Sequence, residues 1–316
     1  MEKTLLVSSS PHVHCGMNTR DVMRDVIIAL IPALLASVWL FGFRALAVEI
    51  VCVGAAIAAE YLSRRAMKRP QTVGDLSAIV TGLLLAFNLP STISLWQAAF
   101  GSVVAIVVAK QMFGGLGQNF VNPALVGRIV LMGSFPGEMN NWELPFAWLG
   151  KADAVSSATP LALMGEDPDA PISLLDLLFG LRGGSLGETC VVALLLGGLY
   201  LVIRRVISPV IPLIYVGTVF VLTWLLGANA PAHILSGGLM LGAVFMATDY
   251  ATCPINRSGK VIYGIGCGLL TVLIRLYGSL PDGVSFAIVI MNILTPLIER
   301  VVRPCPFGEK RKAVAK

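Results

Sequence analysis

A chain of 316 residues that is 56% hydrophobic and only 13% charged cannot clothe a soluble globule of its size in polar surface. Its mean hydropathy of +0.82 makes lipid the solvent for most of its length. The net charge of +5 is modest, and its basic residues fall where membrane anchors belong, which excludes a nucleic-acid partner.

The first residues, MEKTLLVSSSPHVHCG, hold a short apolar patch and no h-region. No cleavable signal peptide is expected, and the first span should do the targeting. Apolar runs between breakers predict about ten transmembrane helices. In chain order they cover residues 26–43, 46–62, 76–89, 95–113, 120–135, 189–203, 210–226, 234–248, 261–277 and 284–298. Helices are required because lipid offers backbone amides no partner, and the alternating pattern of a membrane barrel is missing.

The expected fold class is therefore an all-α integral membrane protein. The long stretch 136–188 divides the spans five and five, giving a first half at 1–135, an extracytoplasmic loop at 136–188, and a second half with a tail at 189–316. An odd number of spans per half makes any repeat an inverted one. The third span of each half is short and glycine-containing (LSAIVTGLLLAFNLP and ILSGGLMLGAVFMATD), and each fifth span carries Asn and Pro (FVNPALVGR and IMNILTPLIER). Interrupted spans at matching positions point to a central site, although Gly and Pro are common in membrane helices for packing reasons alone.

Of the 23 lysines and arginines, eighteen fall on the side that holds both termini, and five (Arg44, Arg128, Lys151, Arg182, Arg275) on the other. Both termini are expected in the cytoplasm. Glu49, Glu60, Asp75, Asp249 and Glu299 are the carboxylates nearest apolar sequence, each near a predicted span end where it could be hydrated or paired. The six cysteines are scattered without metal-ligand spacing, so no metal site is expected. Gly114–Gly115–Leu116–Gly117 before the fifth span reads as a tight turn, or as a place where backbone approaches a ligand.

The loop contains Asp153–Ala154–Val155–Ser156–Ser157–Ala158–Thr159–Pro160–Leu161. On its residues alone this is a loop or a helix N-terminus, with no base beside the hydroxyls to activate one. The stretch resembles the flavinylation motif, roughly D-x-x-S-G/S-A-T, of membrane flavoproteins in Rnf and Na⁺-pumping quinone reductase complexes. SPHVH, GGLGQNFVNPALVG and SGGLMLGAVFMATDYATCP are also similar to the RnfD family of Rnf complexes, and the chain length fits that branch better than the longer NqrB branch of the quinone reductases.

The resemblance implies FMN joined to the Thr159 hydroxyl through a phosphodiester by a dedicated flavin transferase. Asp153, Ser156, Ser157 and Ala158 supply the motif around Thr159, with Ser157 standing where the family often has glycine. It further implies a second, noncovalent flavin, riboflavin, and partners among the A, B, C, E and G components of the Rnf complex in the lipid. The implied activity couples electron transfer between ferredoxin and NAD⁺ to Na⁺ or H⁺ translocation. This chain has no strand–GxGxxG–helix unit and no complete active site of its own, so the NAD site would lie on a partner. A secondary transporter with no redox cofactor, and a purely structural assembly component, are the rival readings.

Overall fold

The computed structural model describes residues 18–150, 158–166, 173–278 and 282–302, and within them every regular element is helical. The first half holds α1 (Thr19–Phe41), α2 (Phe43–Ala66), α3 (Ser77–Phe87), α4 (Leu95–Ile106, continued by a π-helical turn over Val107–Gln111) and α5 (Pro123–Ser134). Three short helices follow, α6 (Pro136–Met139), α7 (Pro160–Glu166) and α8 (Leu174–Phe179). The second half holds α9 (Val191–Ile203), α10 (Val210–Leu225), α11 (Ala230–Leu235), α12 (Leu239–Leu241, continued by a π-helical turn over Gly242–Met246), α13 (Arg257–Tyr277) and α14 (Val284–Val301).

Four of these, α1, α2, α13 and α14, are long and apolar enough to cross a bilayer unaided. Five shorter apolar helices, over 77–87, 95–111, 123–134, 191–203 and 210–225, match the remaining predicted spans but one. The exception is the span expected over 234–248, which is broken: α11 ends at Leu235 and α12 begins only after Ser236–Gly237–Gly238. Gly237 sits at φ +65°, a left-handed conformation that a side chain disfavours and that ends the helical run.

The two halves repeat one packing scheme. Helix α2 packs on α3 and α4, and α4 on α5; likewise α10 packs on α11 and α13, and α13 on α14. The halves meet where α1 crosses α9 and where α5 touches α14. Asn–Pro and Asn–x–Pro sequences start two of the short helices. Asn122 accepts the Ala124 N–H at 3.0 Å with Pro123 in the first turn, and Asn229 accepts from Ala232 ahead of α11.

Short helices leave backbone that lipid cannot satisfy, so the chain must bury it in protein. Residues 182–188, within the stretch expected as a loop, and Thr189 at the start of the sixth predicted span are all buried. Their Leu186 and Gly187 amides donate at 3.0 Å to the carbonyls of Leu89 and Phe87, just past and at the C-terminal end of α3. A Cβ on Gly187 would collide with the Phe87 side chain, so glycine is what lets this strip enter. The same core cluster takes in Leu85, Phe87, Leu89, Leu186, Leu239 and Met246.

Candidate functional site

Thr159 lies at the foot of α7. Its Oγ1 accepts the Ala162 N–H at 3.2 Å and its carbonyl accepts the Leu163 N–H at 3.0 Å. Two residues on, Leu161 packs with Met164, Leu177 and Ala232, which pins α7 to α8 and α11. The residue is half-buried and Ala158 beside it is exposed. The motif leads one to expect an exposed hydroxyl on a free segment; the packing of Leu161 draws Thr159 against the body of the protein instead. Of the other motif residues, Asp153, Ser156 and Ser157 lie outside the described residues.

Thr159 opens onto a cleft of about 310 Å³, counting its mouth, whose walls include Arg128, Arg182, Glu188, Gly237 and Asp282. Asp282 stands between two guanidiniums, 3.0 Å from Arg128 and 3.5 Å from Arg275. Arg128 also donates to Asn88 Oδ1 at 2.7 Å and to Ser285 at 3.0 Å. Arg275 donates to the carbonyls of His233 and Ser236, and Arg182 to that of Leu235, at 2.8 Å. Glu188 accepts the Ser185 N–H at 3.2 Å. All of these charges are buried, with Arg128 at 3% and Arg182 at 7% exposure.

The Ser236–Gly237–Gly238 break threads between them. A Cβ on Gly238 would stand 3.1 Å from Glu188, 3.2 Å from Asp282 and 3.5 Å from Arg128. The interruption in the eighth span thus makes room for charge.

Low dielectric makes each of these ionisations depend on its neighbours. Burial alone would raise the Asp282 carboxyl, but Arg128 and Arg275 hold it below the usual carboxylate range. Burial, with Asp282 nearby, pushes Glu188 up. Burial pushes Arg182 down to about 10, which leaves it charged at neutral pH. Burial and Arg275 push His233 down to about 4, so its imidazole is neutral there. Arg128 Nε, Arg182 Nε, Glu188 Oε2, Ser185 Oγ, Thr189 Oγ1 and Ser236 Oγ are buried without a hydrogen-bond partner. Buried polar atoms ordinarily find a partner, so this concentration leaves the cleft with hydrogen-bonding capacity to spare.

No motif singles out these five charged residues. Their signal lies in the charge count. Three of the five cations on the arginine-poor side, Arg128, Arg182 and Arg275, belong to this cluster. A fourth, Arg44, donates to the carbonyls of Ser91 and Ile93. Arg128, Arg182 and Arg275 are thus cations held inside the protein, whereas Arg44 is exposed.

The carboxylates expected near span ends behave differently from one another. Glu60 is fully buried against Lys110 at 2.7 Å, and Lys110 also donates to Ser77 at 2.6 Å. Glu49 is buried beside Ser37 at 2.5 Å. Asp75 caps Ser77 at 2.8 Å, Asp249 meets Asn119 at 3.4 Å, and Glu299 accepts the Ile255 N–H at 3.0 Å. A second cleft of about 750 Å³, counting its mouth, lies between the halves, lined by Leu84, Lys110, Leu116, Asn119, Phe245 and Asp249 among others. Leu116 and Asn119 come from the glycine-rich segment, whose Gly114, Gly115 and Gly117 all have positive φ, so that segment does border a cavity. Among the described residues no group of histidines, cysteines and carboxylates could hold a metal ion.

The arrangement can be set against known proteins. The model of the NQR2, RnfD, RnfE family matches residues 6–308. The D component of the Na(+)-translocating ferredoxin:NAD(+) oxidoreductase complex of Acetobacterium woodii is 49% identical over 311 residues, 97% of this chain and 96% of the relative. The proton-translocating counterpart of Clostridium ljungdahlii is 41% identical, covering 96% of each chain. The D component of the ion-translocating oxidoreductase complex of Stutzerimonas stutzeri is 38% identical over 92% of each. A match running through both helical halves and the segment between them shows that this chain belongs to the NQR2, RnfD, RnfE family.

Proposed function

We propose that this chain is the D-type membrane component of an ion-translocating ferredoxin:NAD⁺ oxidoreductase complex and carries FMN covalently on Thr159. Near-full-length similarity to D components of such complexes, at up to 49% identity, supports the complex. The observation that carries the flavin reading is the position of Thr159, a half-buried hydroxyl opening onto a buried arginine cluster. Once bound, FMN would supply the one-electron chemistry that no side chain here can perform. The chain's own residues anchor and orient. Leu161 seats α7, Thr159 offers the oxygen, and Arg128 with Arg182 supplies positive charge.

The cleft between the halves suits a second, noncovalent flavin, riboflavin. Its apolar walls surround a few polar groups in Lys110, Asn119 and Asp249, the mixture that an uncharged flavin would need. The other Rnf components (A, B, C, E and G) and a flavin transferase complete the proposed partnership. The chain sits in the cytoplasmic membrane with both termini inside and Thr159 on the outer side, and the ion moved is Na⁺ or H⁺.

The test is fluorescence. Chain from cells containing the transferase, denatured and run on a gel, should fluoresce yellow-green under ultraviolet light, and Thr159→Ala should be dark while still inserting. Native Thr159→Ala protein should still release riboflavin on acid treatment. A dark wild-type band would sink the covalent flavin and return the secondary-transporter reading. Full ferredoxin:NAD⁺ turnover by a complex containing Thr159→Ala would instead leave this chain a structural role.

A further inference from the structure

Among the described residues, the buried cluster beside Thr159 does not balance its own charge. Three guanidiniums, Arg128, Arg182 and Arg275, face two carboxylates, Glu188 and Asp282, and Asp282 is shared between Arg128 and Arg275. Among the described residues Arg182 has no carboxylate within ion-pair distance. Its paired contact is the neutral carbonyl of Leu235, and its Nε is buried with no partner. An excess charge at 7% exposure is costly unless an anion completes the site. Arg182 and Thr159 line the same cleft, so an anion attached to Thr159 would be that counter-charge.

We propose that Arg182 is the positioning residue for the phosphodiester on Thr159, and that the single excess positive charge of the cluster is built to receive it. The proposal rests on the Thr159 attachment described above. Transfer from a flavin adenine dinucleotide, catalysed by the transferase, breaks the pyrophosphate bond, releases AMP and the hydroxyl proton, and forms the Thr159 Oγ1–phosphorus bond. The diester places one negative charge at the mouth of the cleft and brings the cluster to neutrality. Guanidinium is the side chain suited to this because its planar fork meets two phosphate oxygens at once. The enclosed part of the cleft, about 20 Å³, has room for an atom group the size of a water molecule. A phosphoryl oxygen is of that size, which suits the cleft to the phosphate of the ester. Glu188 limits the excess to one charge, matching a diester.

The charge balance makes a signed prediction. Full-length protein is purified in detergent from cells with and without the flavin transferase, and the melting temperature of each form is measured. In the wild type, flavinylation should raise the melting temperature by about 2–4 °C. In Arg182→Gln the increment should vanish, and in Arg182→Lys most of it should remain. In Glu188→Gln, which adds one to the excess charge, the increment should grow. In-gel fluorescence of each variant establishes that flavin is attached, so the comparison is of loaded with unloaded chain throughout. Equal increments in wild type, Arg182→Gln and Glu188→Gln would overturn the assignment of Arg182 while leaving attachment at Thr159 intact. Absence of fluorescence from wild-type protein would overturn the attachment, and the phosphate role of the cluster with it. Should Arg182→Gln fail to insert, Glu188→Gln carries the test alone, and an increment no larger than wild type counts against the proposal.

Discussion

A charge within an apolar bundle is tolerated only with its partner, and the Lys110–Glu60 pair shows how strictly. Lys110 leaves α4 through the π-helical turn and meets Glu60 of α2 at 2.7 Å, both side chains almost wholly buried. Removing either member alone strands the other, at a cost of about 3–5 kcal/mol, whereas replacing both with apolar residues of similar size is often neutral. Lys110→Met should therefore lower the melting temperature of the detergent-purified chain markedly, and Glu60→Met/Lys110→Met should recover most of the loss. A double variant as unstable as the single one would show that Ser77, the other acceptor of Lys110, carries the interaction. Glu60 is legible from sequence as an expensive carboxylate. Its partner is not, because Lys110 counts there only as a cytoplasmic anchor. Charge counts place residues on a side of the membrane and say nothing of what they face. Thr159 is legible for a different reason, since its motif is local and needs no tertiary contact to be read. The arginines beside it arrive from α5, α13 and the buried strip at 182–189, and only folding brings them together.

The helices carry a second kind of information, in where they stop. Nine of the ten predicted spans have a single helical run at the expected place, because apolar length against a fixed bilayer thickness is a strong constraint. The tenth breaks at Gly237–Gly238, and the non-helical residues 182–188 fold into the body of the protein. Both features share a cause: buried backbone that leaves the helical pattern is satisfied by neighbours distant in sequence, which no window of hydropathy can register. Glycine also sets how closely the halves approach. A Cβ on Gly197 of α9 would run into the Ala29 carbonyl of α1, so these two helices touch backbone to backbone. Gly197→Val should force them apart and destabilise the chain by roughly 1–3 kcal/mol, as overpacked contacts do. Gly217→Val, where nothing stands within 4 Å of the Cβ position, should cost far less. Thermal unfolding of the two variants side by side measures the difference. Equal losses would mean that helix propensity, and not the close crossing, sets the penalty.

At the scale of the whole molecule, orientation and site chemistry constrain each other. The molecule holds two buried charged regions, one at the cleft of Lys110 and Asp249, where Lys110 pairs with Glu60, and the other at the cleft of Arg128, Arg182 and Asp282. If the halves are inverted, these regions open to opposite faces, and a flavin on Thr159 would face away from the cytoplasmic anchors. That arrangement predicts a labelling pattern in a cysteine-free background. Asn141→Cys lies in the segment that follows α6 and is exposed, so it should react with a membrane-impermeant maleimide on intact cells. Arg69→Cys, exposed after α2, should react only once the membrane is opened. The helices α3, α4 and α5 lie between the two positions, and if all of them cross, an odd number of passages must put the positions on opposite sides. Labelling of both positions from the outside would mean that one short helix fails to cross, and α3 with its eleven residues would be the first suspect. Labelling of Arg69→Cys alone would reverse the molecule, place the basic loops outside, and put Thr159 in the compartment where free flavin is made.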